Sequence, residues 1–265
     1  MYQMGFLGAG KMAEALMTAA LKTGVAGPKE VICSDVSADR LREVAGRLGV
    51  ATAGGNRQVV EQSELVVLAF KPQNLAEATA GLAAVVRSEQ IIVSILAGVR
   101  IARIREALPA KVVRVMPNTA CLVGQMAAGL AAGPGVGPQD VGRVRHLLGG
   151  AGLIVEVSEE QLDAVTGLSG SGPAFVAYLI EAFQRAGVAA GLTEEAARVL
   201  TLQTFAGTAR LLEERRMTPG ELIALVSSPQ GTTVAGRAVL ETSDAAEVIG
   251  RTVLRATERS RELGR

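Results

Sequence analysis

Six short apolar runs, all but the first rich in β-branched residues, punctuate this chain: YQMGFLGAG, EVICSD, ELVVLAF, QIIVSIL, KVVRVM and GLIVEV. All of them lie before residue 158. Most are apolar throughout rather than alternating, the pattern of strands covered on both faces. Helix-forming stretches separate them, and strand–helix–strand at this spacing predicts a mainly parallel, doubly wound sheet. From residue 158 onward the strand signal stops. The expectation is an α/β chain: a sheet domain over 1–157 and an all-α domain over 158–265.

The second half carries its own start and stop signals. Ser158-Glu159-Glu160-Gln161 is a capping box that opens a helix through Leu168. SGSGP then breaks the chain, and Pro173 serves as a first-turn proline for a long helix toward Gly187. Phe175, Leu179 and Ala182, with Val176, Ile180 and Phe183, give that helix a broad apolar face. Further helices follow Thr193, the capping box Thr218-Pro219-Gly220-Glu221, and Ser243 or Asp244. Faces this wide in so short a domain predict a helical dimer interface.

Composition excludes more than it assigns. Basic and acidic residues number 27 and 26, which speaks against nucleic acid or an anionic membrane as partner. No run approaches the ~18 apolar residues of a membrane span. The N-terminal stretch is interrupted by Lys11 and Glu14, which makes a poor secretory signal. Cys33 and Cys121 have neither metal spacing nor a framework of partners, so a reducing, cytoplasmic setting is expected.

The first βα junction carries chemistry. Gly8-Ala9-Gly10-Lys11-Met12-Ala13 is a GxGxxA arrangement between a strand and a helix. Gly8 permits the tight turn, Gly10 lets the backbone approach a pyrophosphate, and Ala13 keeps helix and strand close. Free N–H groups at the helix start bind the anion. The next strand ends in Asp35, placed to grip an adenosine ribose diol, which favours NAD. Ser34, Ser37, Arg40 and Arg42 surround it and could instead meet a 2′-phosphate, so NADH and NADPH both stay open. Later strand ends supply Lys71-Pro72, a small-residue gap at Ala97-Gly98 that leaves room for a flat ring, and Asn118-Thr119. Ligands of open α/β sheets lie at these ends. The plain alternatives are a solvated surface lysine for Lys71 and an Asx-turn after Pro117 for Asn118.

Absences narrow the reaction. The one histidine, His146, lies at a helix end, and the tyrosines are at position 2 and inside a helix at 178. With one His and two unpaired Cys, no zinc site is expected. An alcohol dehydrogenase needs a proton acceptor that this inventory barely supplies. Reduction of a C=N bond suits it better, because a protonated imine already carries the charge that accepts hydride.

GFLGAGKMAEAL, AFKPQ, RVMPNT, LSGSGPAFVAYLIEA and SSPQGTTVAGRAVLE occur in that order. Together they resemble the Δ1-pyrroline-5-carboxylate reductase family, from Met4 to Glu241. The resemblance implies reduction of 1-pyrroline-5-carboxylate to L-proline with NADPH or NADH, the last step of proline synthesis. It implies an N-terminal Rossmann domain and a helical domain that interlocks in a homodimer, often assembled as five dimers into a decamer. It implies cofactor contacts from Leu7, Gly8, Ala9, Gly10, Lys11 and Met12, and from Asp35 and Asn56. Ala69, Phe70, Lys71, Pro72, Ile95, Leu96 and Ala97 would add to them, with Asn118 near the nicotinamide.

The resemblance also gives the loop Ser227–Thr233 a task. Backbone N–H groups of Gly231, Thr232 and Thr233 at a helix start suit the substrate carboxylate. The Thr233 hydroxyl matches the family position that hydrogen-bonds the ring nitrogen, which makes it the catalytic candidate. The plain alternative is that Thr232 or Thr233 is the helix N-cap. Two positions depart from the family pattern. Gln230 stands where Gly is usual; a positive φ there would cost about 1 kcal/mol, and otherwise its amide shapes the substrate pocket. Arg185 stands where an acid is usual, near the dimer rather than the chemistry. The rival readings are reduction of another imine or a β-hydroxy acid, and a cofactor-binding paralogue without turnover. A β-hydroxy acid would want a lysine on the helix after SGSGP, which offers none; the paralogue reading rests on Gln230.

Overall fold

The computed structural model describes residues 1–264. Its sheet has eight strands in the order β3-β2-β1-β4-β5-β6-β7-β8. These are β1 (Tyr2–Leu7), β2 (Val31–Ser34), β3 (Ala51–Thr52), β4 (Ser63–Leu68), β5 (Ile91–Ser94), β6 (Lys111–Met116), β7 (Met126–Ala132) and β8 (Gly152–Glu156). All neighbours pair in parallel except β6 and β7. The crossovers are α1 (Lys11–Lys22), α2 (Ala38–Leu48), α3 (Asn56–Gln62), α4 (Leu75–Ala78), α5 (Ile101–Ala107) and α6 (Pro138–Gly149). One buried cluster holds Phe6, Leu16, Met17, Val67 and Leu147; another holds Leu7, Val59, Leu68, Ile92 and Ile104. The sheet is thus covered on both faces, which is why its strands read as unbroken apolar runs. Strand order reverses between β1 and β4, where open α/β sheets form a crevice at the strand ends.

All six expected strands form. Two others carry too little signal to be foreseen. β3 has only two residues, and β7 reads Met-Ala-Ala-Gly-Leu-Ala-Ala, poor in the β-branched residues that mark strands. Packing explains β7. A β-carbon on Gly129 would lie 2.8 Å from Val165 and 3.1 Å from Leu162, so the helix beneath tolerates only small residues.

That helix is α7 (Leu162–Val165), entered through a 3-10 turn at Glu159–Gln161. SGSGP does interrupt the helix, but only at Ser171: a π-helical turn, Thr166–Gly170, precedes it and α8 (Gly172–Ala189) follows, with Pro173 in the first turn. The compact units divide at Ser171/Gly172, and the chain rejoins the first unit at Leu254. The strands end at the expected boundary, but Leu162 packs with Met116 and Ala131 and so joins α7 to the sheet. Ser260 donates to buried Asp163 at 2.7 Å, which holds the chain's last turns there as well.

The second unit, Gly172–Val253, is helical: α8, α9 (Glu194–Arg215), α10 (Pro219–Val226), α11 (Thr232–Glu241) and the start of α12 (Ala245–Leu263). Thr193 caps α9 by accepting the Ala196 N–H, and Thr218 with Glu221 forms the expected box at α10. Phe183 and Phe205 meet edge to face at 5.3 Å. Among the described residues of this unit only Ala197 and Leu222 are buried. Tyr178, Phe183, Leu200, Leu225, Val239 and Leu240 are each more than half exposed. An apolar surface of this extent marks a contact face.

Candidate active site

β1 delivers Gly8, Ala9 and Gly10 to the start of α1. Gly8 has φ 97°, and a β-carbon there would sit 2.7 Å from the Ala69 carbonyl oxygen. Only glycine lets the ends of β1 and β4 approach so closely. Two backbone bonds fix the approach, Gly8 N–H to Ser34 O and Ala69 N–H to Leu7 O, each 2.8 Å. A β-carbon on Gly10 would meet nothing within 4 Å, so this residue borders open space. Gly10 is also the N-cap of α1 and has no side chain to occupy the first-turn N–H groups. A twelve-residue helix therefore presents an uncapped positive end beside a gap. This is the space and charge a dinucleotide pyrophosphate requires, so the residues fit the group.

Asp35 is turned toward this cradle. Its Oδ2 accepts the Ala9 N–H at 2.7 Å, and its Oδ1 accepts the Ser37 N–H at 2.9 Å. Behind it, the buried Ser34 hydroxyl donates to Asn56 Oδ1 at 2.7 Å, and Asn56 Nδ2 donates to Ala78 O at 2.8 Å. Gly8, Asp35, Asn56 and Phe70 are brought together around a cleft of about 160 Å³, with Asn74, Glu77 and Ala78 completing its wall. Pockets for whole ligands of drug size run to roughly 300 Å³ and more, so this cleft suits one nucleoside. Asn74 and Glu77 were not foreseen. The signal for them was Pro72, which starts a 3-10 turn, Pro72–Asn74, leading directly into α4.

The arginines that follow Asp35 are paired within the protein. Arg40 donates through Nε to Ala9 O at 2.7 Å, and through its two other nitrogens to Glu14 at 2.5 Å and Glu43 at 2.6 Å. The Glu14 carboxylate, itself buried, pushes the Arg40 pKa up. Arg47 reaches the other Glu14 oxygen, and Arg42 pairs with Asp39 on an exposed face.

The remaining strand ends are more open. Lys71 is exposed, and its ammonium has no counter-charge among the described residues; Pro72 is half-buried. Ile95 and Leu96 pack inward while Ala97 is exposed. Asn118 is buried, and both ends of its amide are engaged. Nδ2 donates to Ser169 O at 3.0 Å, and Oδ1 accepts the Ala127 N–H at 3.2 Å. It thus brackets the π-helical turn to the start of β7. Lys11 is exposed, and Met12 is half-buried with its sulfur 3.4 Å from the Cys121 thiol. That contact gives Cys121 a structural place beneath the cradle helix. Burial pushes the Cys33 thiol up to about 11, with Asp35 adding to the effect, and burial raises Cys121 too. Neither is a thiolate nucleophile near neutral pH.

In the second unit, Ser227–Gly231 joins α10 to α11. Gln230 adopts φ 58°, the left-handed conformation in which the usual glycine would be unstrained. Gly231 N–H bonds back to Ser228 O at 3.0 Å, and Arg237 reaches Ser227 Oγ at 3.5 Å. Gly231, not either threonine, is the N-cap of α11, and no side chain caps it. Thr232 and Thr233 lie within the first turn with exposed side chains. Their N–H groups have no partner among the described residues.

No group of three or more His, Cys, Asp or Glu that could hold a metal ion occurs among the described residues. No helix there is long and apolar enough to cross a membrane.

Comparison with known proteins is consistent along the whole chain. Residues 159–263 match the family described as pyrroline-5-carboxylate reductase dimerisation, and residues 3–98 match NADP oxidoreductase coenzyme F420-dependent. A pyrroline-5-carboxylate reductase from Methanosarcina acetivorans is 40% identical over 99% of this chain and 98% of its own. The structure of a pyrroline-5-carboxylate reductase from Coxiella burnetii superposes with a TM-score of 0.95 at 32% identity, covering 100% and 99% of the two chains. The Plasmodium falciparum pyrroline carboxylate reductase with NADP bound superposes at 0.88 and 27% identity, covering 100% and 98%. The glycine cradle, the second strand's acid and the uncapped helix after the Ser227–Gly231 loop thus sit in a chain that belongs to the pyrroline-5-carboxylate reductase family.

Proposed function

We propose that this protein reduces 1-pyrroline-5-carboxylate to L-proline by hydride transfer from NAD(P)H, the last step of proline biosynthesis. The observation that carries the reading is a pair of uncapped helix starts, at Gly10 and at Gly231, in a chain 40% identical to a named reductase of that substrate. Each is a binding site in waiting for an anionic group, one for a pyrophosphate and one for a carboxylate.

Bound reduced nicotinamide supplies the hydride. The residues proposed to hold the cofactor are Leu7 through Met12, Asp35, Asn56, Ala69 through Pro72, Ile95 through Ala97, and Asn118. Asp35 accepts from the ribose, Lys71 offers a charge to phosphate, and Ala97 leaves space for a flat ring. Asn118, whose amide is already doubly bonded, acts by holding the neighbouring backbone in place. Thr232 and Thr233 hold the substrate carboxylate through their N–H groups, while Gly231, whose own N–H is bonded to Ser228 O, lines the same loop and leaves the helix start uncapped. The Thr233 hydroxyl bonds the ring nitrogen and so orients the C=N carbon; orientation is its larger contribution, with proton delivery second. Gln230 shapes the same loop.

The division of labour follows: residues 1–157 bind the dinucleotide, and 158–265 supply the substrate loop and the dimer interface. Homodimerisation through the exposed helical faces is supported by the match to the dimerisation family. A decamer of five dimers and a cytoplasmic location belong to the same proposal; the latter suits two free thiols. The test is direct. Purified protein, 1-pyrroline-5-carboxylate and either reduced cofactor should yield cofactor oxidation and an equal amount of proline. Thr233→Ala should lower kcat/KM by about a hundredfold, while Thr233→Ser retains most of it. Full activity in Thr233→Ala would remove Thr233 from the catalytic role. Light scattering after gel filtration reads the assembly.

A further inference from the structure

The cleft beside the glycine cradle is lined by two carboxylates, Asp35 and Glu77, and by no lysine or arginine. We propose that this chain selects NADH over NADPH, with Asp35 as the determinant and Glu14 as the residue that keeps Arg40 from serving a 2′-phosphate. The inference deepens the functional reading above and rests on it, in that the Gly8–Met12 cradle must hold a nicotinamide dinucleotide.

Three observations converge. First, the Asp35 carboxylate is fixed. One oxygen takes the Ala9 N–H at 2.7 Å and the other the Ser37 N–H at 2.9 Å, so it cannot swing aside to admit a bulkier ribose. Each carboxylate oxygen keeps a further lone pair, which suits it to a diol that donates. A phosphate in the same place would offer only more acceptor oxygens and a like charge.

Second, the cations are already engaged. Arg40 spends Nε on Ala9 O and its other two nitrogens on Glu14 and Glu43, and its side chain is only 15% exposed. Glu14 organises this: its 7%-exposed carboxylate also takes Arg47 at 2.5 Å and lies 3.9 Å from Lys11. Arg42 points to Asp39 instead. A nearby arginine commonly accommodates a 2′-phosphate, and Arg40 is held instead by Glu14 and Glu43.

Third, the cleft wall itself contains Asp35 and Glu77 and neither lysine nor arginine. Two carboxylates and no cation line the volume where the adenosine end would lie.

Calorimetric titration of the full-length protein with each reduced cofactor reads this without turnover. NADH should bind at least about tenfold more tightly than NADPH, a ratio that ~1.4 kcal/mol produces. Asp35→Asn keeps an acceptor for the Ala9 N–H and removes the charge. It should bring the two affinities to within about threefold, mainly by improving NADPH. Should Asp35→Asn fail to fold, Glu77→Gln, which alters an exposed side chain, should narrow the ratio in the same direction. Arg40→Gln should leave the ratio unchanged, whereas an arginine that held the 2′-phosphate would cost NADPH alone. NADPH binding as tightly as NADH to the wild type, or an unchanged ratio in Asp35→Asn, overturns the proposal. Binding of neither cofactor overturns instead the reading on which it rests.

Discussion

Replacing Glu159 with alanine removes the one counter-charge, among the described residues, of an almost fully buried arginine. Arg114 on β6 is 4% exposed, and its guanidinium donates to Glu159 Oε1 at 2.8 Å. The same oxygen accepts the Ile101 N–H at 2.7 Å, so a single carboxylate ties β6 to the start of α5, which has no side-chain cap of its own. A hydrogen bond to a charged group contributes about 1.5–3 kcal/mol. Breaking one side of a buried pair costs about 3–5 kcal/mol, because the survivor is stranded away from water. These figures describe overlapping effects and do not add. The Glu159 side chain is 21% exposed, so water reaches the vacated space, and the cost settles near the low end, about 3 kcal/mol. Urea unfolding should show a lower midpoint at unchanged slope. Glu159→Gln keeps an acceptor in place and should lose about half as much. The double variant Arg114→Met, Glu159→Leu should recover most of the loss, since neither charge is left buried. A Glu159→Ala midpoint equal to the wild type, or a double variant no better than the single, would refute the reasoning.

Two further outcomes follow from local geometry. Gln230→Gly relieves a left-handed residue at about 1–2 kcal/mol and restores chain entropy to the unfolded state at about 0.5–1, so a net stabilisation of up to about 1 kcal/mol is expected; a lower unfolding midpoint in calorimetry would contradict it. Asp140 accepts the Gly137 N–H at 2.9 Å and pairs with Lys111 at 3.1 Å, and both hold its pKa below the usual carboxylate range, the backbone bond most. Its folded pKa is depressed, so its stabilisation is complete above about pH 4 and fades as pH falls through the folded value. Wild type should therefore exceed Asp140→Asn in stability at pH 7, with the gap closing toward pH 3; a gap that widens on acidification would invert the sign.

What the sequence determined by itself was local. The apolar runs, the glycine spacing before Ala13, the caps at Thr193 and Thr218 and the acid closing the second strand all act within a turn or two. Their chemistry is therefore written in adjacent letters. The tertiary structure decided the rest. β7 is a strand because β6 offers it an antiparallel edge and α7 demands small residues, neither of which seven alanine-rich positions announce. SGSGP reads as a break, and Asn118, 51 residues away in sequence, holds the Ser169 carbonyl in a π turn that narrows the break to Ser171. The N-cap of α11 fell to Gly231 rather than a threonine, because Gln230 takes the left-handed turn one residue earlier than hydroxyl chemistry alone would choose. Most consequential is Arg40. Beside Asp35 in the sequence it could serve either cofactor, and only folding brings Glu14, 26 residues distant, against its guanidinium. A buried carboxylate captures the nearest arginine whatever the local motif suggests, because an unpaired charge in that place would cost more than any surface contact returns.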